Sequence, residues 1–90
     1  MKYRSRTEIT AQILESAMGG ITKTKIMYKA FLSYAQLKEY LEVLEVNGLL
    51  EYQQSEERYR TTAKGNKFLD IYSQMGQLVL DTPELAQNQN

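Results

Sequence analysis

Neither cysteine nor histidine occurs in the chain, and these two absences remove more chemistry than any other feature of the composition. Without cysteine there is no disulfide framework, no thiolate metal ligand and no thiol nucleophile. Without histidine the commonest general base near neutral pH and the commonest imidazole ligand are missing. Carboxylates, Lys, Tyr and Ser remain, but no Gly-rich phosphate loop and no paired-carboxylate constellation organises them. The chain therefore reads as non-enzymatic, with no catalytic residue, no metal and no cofactor. A net charge is also lacking, since 11 Lys and Arg balance 11 Asp and Glu, which argues against the indiscriminate coating of nucleic acid expected of a very basic protein. No apolar run reaches the length of a membrane span, and Met1-Lys2-Tyr3-Arg4-Ser5-Arg6 leads straight into an amphipathic stretch with no signal-peptide core. A soluble, cytoplasmic protein is expected, with no membrane partner and no evident small-molecule ligand.

What is present fits one domain. Ninety residues, 42% hydrophobic and 24% charged, make one modest core, assigned to residues 1–80. Residues 81–90 are Gln/Asn-rich with one leucine and one alanine as their apolar content, and are expected to be a disordered tail. The charges are not evenly spread. Lys2, Arg4 and Arg6 mark the N-terminal arm, Lys23, Lys25 and Lys29 a second group, and Arg58, Arg60, Lys64 and Lys67 a third. Acids concentrate at Glu39, Glu42, Glu45, Glu51, Glu56 and Glu57, so the sequence suggests a basic face and an acidic one.

Helix signals come in order along the chain. Ser5 and Glu8 read as a capping box for a helix from about Arg6 to Met18, with Ile9, Ile13, Leu14 and Ala17 at helical spacing. Gly19-Gly20 stops it. Ile21 reads as a very short strand, and Thr22 caps a second helix over Lys23 to Ala30, with Ile26 and Met27 inward. A third helix, Tyr34 to Asn47, carries Leu37, Leu41 and Leu44 on one stripe and ends at Asn47-Gly48. Leu49 to Gln53 and Arg58 to Thr61 alternate as strands around the polar tip Gln54 to Glu57. Thr62 caps a last helix, Ala63 to about Leu80, that Asp81-Thr82-Pro83 breaks. The expected fold is mainly α (α+β), a winged helix-turn-helix in the order α-α-α-β-β-α with a C-terminal dimerisation helix (63–80).

The decisive stretch is Lys25 to Leu41. Ser33 and Gln36 form a reciprocal capping box, so the third helix starts abruptly with Tyr34, Ala35, Gln36 and Lys38 around its exposed first turn. In a DNA-binding helix-turn-helix, these N-terminal residues of the second helix are the ones offered to base edges in the major groove.

These residues resemble a known family, the archaeal winged helix-turn-helix transcriptional regulators, which includes the small dimeric chromatin-associated winged-helix proteins of thermoacidophilic archaea. The resemblance covers roughly residues 4 to 75. It rests on Thr24-Lys25-Ile26-Met27-Tyr28-Lys29-Ala30, on Leu32-Ser33-Tyr34 with Gln36-Leu37-Lys38 and Tyr40-Leu41, on Asn47-Gly48-Leu49-Leu50, and on Tyr59 with Thr61-Thr62-Ala63-Lys64-Gly65. It implies a DNA-binding winged helix, often dimerised through the C-terminal helix, without catalytic activity or a required cofactor. Glu39 stands where basic residues are common in such proteins, and the wing tip Ser55-Glu56-Glu57 is acidic.

The leading expectation is a nucleoid-associated transcription regulator whose partner is double-stranded DNA. Tyr34, Gln36 and Lys38 are assigned to bases, with Gln suited to adenine and Lys to guanine, and Ser33 fixes the turn. Lys23, Lys25, Lys29, Arg58 and Arg60 are assigned to phosphates, the two arginines because alternation places them on the same exposed side of a wing strand. The three lysines read equally well as an ordinary solvated face. Tyr28, Tyr40 and Tyr59 are expected in the core or at its rim, and Met18, Met27 and Met75 as core filler. The alternative is a protein–protein docking module of winged-helix fold, favoured by neutral charge and Glu39.

The last helix carries more apolar surface than its own domain needs. Phe68, Leu69, Ile71, Tyr72, Met75, Leu78, Val79 and Leu80 cover more than the roughly 100° stripe that a helix lying on one core buries. Phe68, Tyr72, Met75 and Val79 recur at steps of four, three and four, the spacing of a coiled-coil seam. A homodimer through this seam is expected, with Leu69 facing the domain's core; the other reading is one long helix folded back on its own domain.

Overall fold

The computed structural model describes residues 4–80; Lys2 of the basic arm and the expected tail 81–90 lie outside the described residues. Six elements follow in order: α1 (Arg6–Ser16), α2 (Lys23–Lys29), α3 (Tyr34–Val46), β1 (Leu50–Gln53), β2 (Arg58–Thr61) and α4 (Ala63–Leu80). This is the expected winged helix-turn-helix arrangement. Each of the four helices starts on a hydroxyl cap. Ser5, Thr22, Ser33 and Thr62 accept the N–H groups of Glu8, Lys25, Gln36 and Gly65 at 3.0–3.4 Å, satisfying donors that a helix start otherwise leaves unpaired. Only Ser33 has the reciprocal bond of a full capping box; at Ser5, Glu8 supplies its backbone N–H alone, so the box expected there is half formed.

α1 ends at Ser16, short of the Met18 anticipated from its periodicity. The reason is competition for its last carbonyls. Ala17 C=O accepts from Gly20 N–H and from Thr61 N–H, both at 3.1 Å, and the buried Thr61 hydroxyl donates to Leu14 C=O at 2.6 Å. The end of β2 thus closes the end of α1. Ile21 pairs with Tyr59 in both directions, at 3.0 and 2.8 Å, and so extends the antiparallel β1–β2 ribbon, whose register runs from Leu50 opposite Thr61 to Gln53 opposite Arg58.

The core collects Ile13, Leu14, Ala17, Ile21, Ile26, Ala30, Leu37, Tyr40, Leu41, Leu44 and Leu50 from all three N-terminal helices and β1, with Met27, Leu49, Tyr59, Phe68 and Leu69 packed at its edge. α4 reaches this core only with its first half. From Ser73 to Val79 every residue is exposed, so the helix extends past the domain that its start is packed on.

The crossing of α4 over the α3–β1 connection is set by two glycines. Gly48, at φ +75°, takes the left-handed position that ends α3: its N–H donates to Glu45 C=O at 3.0 Å and Leu49 N–H donates to Leu44 C=O at 2.9 Å, the Schellman pattern. The Thr62 hydroxyl and the Lys64 ammonium then donate to the carbonyls of Gly48 and Asn47, at 2.6 and 2.7 Å. Gly65 lies in the first turn of α4, where a β-carbon would sit on the Leu49 carbonyl oxygen and 2.6 Å from Thr61 Cγ2. Helix propensity favours alanine over glycine by up to about 1 kcal/mol, whereas the steric conflict with backbone costs about 1–3 kcal/mol. Gly65→Ala is expected to lower the urea midpoint, and a variant as stable as the parent would show that α4 does not approach Leu49 this closely.

Candidate nucleic-acid interface

The helix-turn-helix is α2, the turn Ala30–Ser33, and α3. Its turn is closed from three directions. Phe31 adopts φ +54°, with its N–H donating to Tyr28 C=O at 3.3 Å while Leu32 N–H donates to Met27 C=O at 3.0 Å. This is a second Schellman ending, here on a non-glycine residue, for which the left-handed region costs about 1–2 kcal/mol. Arg4 compensates from outside the motif: its guanidinium donates to Gln12 Oε1, to Ala30 C=O at 2.6 Å and to Phe31 C=O at 3.0 Å. On the far side, Gln36 Oε1 accepts Ser33 N–H at 3.0 Å and Ser33 Oγ accepts Gln36 N–H at 3.2 Å. The Gln36 carboxamide oxygen is therefore committed to the cap, and its Nε2 is the group left to donate outward.

The basic residues sort into two places. Lys23 and Lys38 both lie over the exposed Tyr34 ring, at 5.6 and 6.0 Å from its centroid, a cation–π arrangement that sets the direction of the ring. Together with Leu41, Glu42, Glu45, Val46 and Tyr59 they line a groove of about 610 Å³ between α3 and the wing. Lys25 and Lys29 point elsewhere. With Arg58, Tyr28, Ser16 and Gly20 they line a second groove of about 420 Å³ between α2 and β2. Arg60 lies over Gly20 beside Arg58, but it is half-buried and donates from Nε to Gln53 Oε1 at 3.2 Å. The two arginines share one side of the strand as alternation requires, and of the two Arg58 is the exposed one.

In the first groove, burial pushes the Glu45 carboxyl above the usual carboxylate range. Tyr59 is pushed up by burial first, then by the negative charge of Glu45 and by Tyr52, whose ring centroid is 4.8 Å away. Among the described residues no group of acids is placed to hold a metal ion, and no helix is long and apolar enough to cross a membrane.

A winged helix-turn-helix family profile matches residues 3–79. The chain belongs to the winged helix-turn-helix family. Among solved structures it is similar to Sso10a-2, a DNA-binding protein from Sulfolobus solfataricus, with a TM-score of 0.68 at 21% identity over 97% of this chain and 98% of that one. No curated protein matches the sequence.

Several expectations change within this winged helix. The acids do not separate onto a face of their own: Glu42 and Glu45 line the same groove as Lys23 and Lys38. One turn of helix places Glu42 and Lys38 side by side, so linear clusters of charge did not translate into separate faces. Tyr40 is buried and Tyr59 half-buried, as expected, whereas Tyr28 is 69% exposed because it lies on the α2 face that lines the second groove and not on the one that buries Ile26. Met18 and Met75 are also more than half exposed rather than core filler, Met18 because α1 ends before it and Met75 because α4 has left the core. Arg4 stands in the sequence as arm charge alone, because its bonds across 26 and 27 residues leave no local sequence signal.

The clamp makes a specific expectation. Arg4→Ala should cost about 1–2 kcal/mol, as a charge-assisted bonding group with partial exposure, and should raise amide exchange at Phe31 and Leu32 above any change elsewhere. Unchanged exchange at those two amides would show that the turn holds its geometry without Arg4.

Proposed function

We propose that the chain is a sequence-preferring DNA-binding protein, most simply a transcription regulator associated with the nucleoid and not an enzyme, that reads the major groove with the first turns of α3. One observation carries this reading: a capped, exposed helix start at Ser33, with Tyr34 and Lys38 outward beside Lys23, on a fold shared with a DNA-binding protein. Tyr34, Gln36 and Lys38 contact bases, Gln36 through its Nε2 and Lys38 at guanine. Lys23, Lys25, Lys29 and Arg58 hold phosphates, with Arg60 supporting Arg58 and the wing from its bond to Gln53. A docking module is the second reading, favoured by Glu42, Glu45 and the 80% exposed Val46 on the same helix.

Binding should weaken steeply with salt, since each neutralised phosphate contributes about 0.9 to the logarithmic slope. The double change Arg58→Ala, Arg60→Ala should lower that slope by about one to two and weaken all sequences alike. No binding to duplex DNA at micromolar protein and low salt would leave the docking module as the function.

We also propose a homodimer through α4. Phe68 and Leu69 are both drawn onto the domain's own core, so the part of the seam that lies beyond that core begins at Tyr72, whose ring stacks on Phe68 with centroids 6.2 Å apart. Beyond it Tyr72, Met75, Gly76 and Val79 line an apolar groove of about 410 Å³, while Ile71 and Leu78 are 48% and 70% exposed. Contiguous apolar surface of this kind marks an interaction site, and a twofold pair presents two α3 helices to half-sites one helical turn apart. Sedimentation equilibrium at tens of micromolar should give a dimer that Tyr72→Glu or Met75→Glu dissociates; a monomer mass for the parent protein rules the dimer out.

A further inference from the structure

The outward face of α3 is not simply basic. Ala35, Lys38, Glu39, Glu42, Val43 and Val46 are among its exposed residues, opposite the buried Leu37, Tyr40, Leu41 and Leu44. Lys38 and Glu42 are four residues apart, neighbours on one helix face, and both line the groove between α3 and the wing. They do not pair. Lys38 lies over the Tyr34 ring, and among the described residues no cation sits within ion-pair distance of Glu42. An exposed, unpaired carboxylate on the helix that faces DNA is repelled by every phosphate, and this cost is the same for all sequences. In the major groove a carboxylate is rewarded only by exocyclic amino groups, and its usual partner is the N4 amino group of cytosine.

We propose that Glu42 is a specificity-determining residue that accepts a hydrogen bond from cytosine N4, one or two base pairs from a guanine held by Lys38. This deepens the DNA-binding reading and rests on it. The spacing suits it: side chains four apart on a helix have β-carbons about 5–6 Å apart, against about 3.4 Å per base along a strand. The acids that argue against DNA as a partner on charge alone then acquire a role. Glu42 suppresses binding to sequences without an amino group at that position, which is how a chain of zero net charge can prefer a site instead of coating the duplex.

The test uses the full chain and a randomised duplex library. Selected duplexes are recovered, and binding is measured for the parent, Glu42→Gln and, as a charge control on the wing tip, Glu56→Gln. The parent should select a cytosine at one position and discriminate against other bases there by about tenfold or more. Glu42→Gln should lose that discrimination at that position alone while binding random duplex more tightly. Glu56→Gln should bind random duplex more tightly as well but keep the cytosine preference. A parent that binds DNA without selecting cytosine, or a Glu42→Gln protein with the parent's preference at every position, overturns the assignment and leaves DNA binding standing. A parent that binds no duplex overturns both.

Discussion

The turn between α2 and α3 is the constraint on which the remainder of the surface depends. It holds a phenylalanine in the left-handed region, its side chain 80% exposed and contributing little burial to offset the backbone cost. Bonds on either side keep it there: Arg4 on the carbonyls of Ala30 and Phe31, and the reciprocal Ser33–Gln36 box. Because α3 starts at a fixed residue, the directions of Tyr34, Lys38 and Glu42 follow from helical geometry. A start displaced by one residue would rotate each of them by about 100° and dismantle the groove they share with Lys23 and Tyr59.

The other end of the motif is closed by the same device, polar side chains placed on orphan carbonyls. Thr61 and Thr62, adjacent in sequence, serve the C-terminal ends of two different helices: one closes α1 through Leu14 and Ala17, and the other closes α3 through Gly48 while starting α4. The wing is thereby tied to both α1 and the end of α3. With no disulfide available to a 90-residue chain, such ties, together with one small core, hold the ribbon and α3 in register.

Legibility in the sequence followed interaction range. The helix starts at Ser5, Thr22, Ser33 and Thr62, and the αL ending at Gly48, are set by residues within three or four positions, and each was readable from those residues. Ile21 pairing as a short strand was readable from its position between Gly20 and Thr22. Features that require knowing which face meets which were not. Tyr28 and Tyr40 look alike in sequence, yet one is exposed and one buried; Lys23 and Lys25 are two residues apart and line different grooves. Phe68 falls on a seam spacing, yet it packs on its own core. Arg4 acts across most of the motif and carried no signal beyond its charge.

Under the proposed DNA-binding role, the arrangement of charge suits a selective rather than an adhesive protein. Cations border both grooves, carboxylates sit among them on α3 and at the wing tip, and the sum is zero. In the proposed role affinity for phosphate is then limited, so that productive binding would depend on contacts between the first turns of α3 and bases. Mapping backbone amide shifts during titration with a selected duplex tests this most directly. The largest changes are predicted over residues 33–42, with smaller ones at Lys25, Lys29 and Arg58. Changes confined to α4 or to the acidic C-terminal half of α3, with the Ser33–Lys38 amides unmoved, would contradict it.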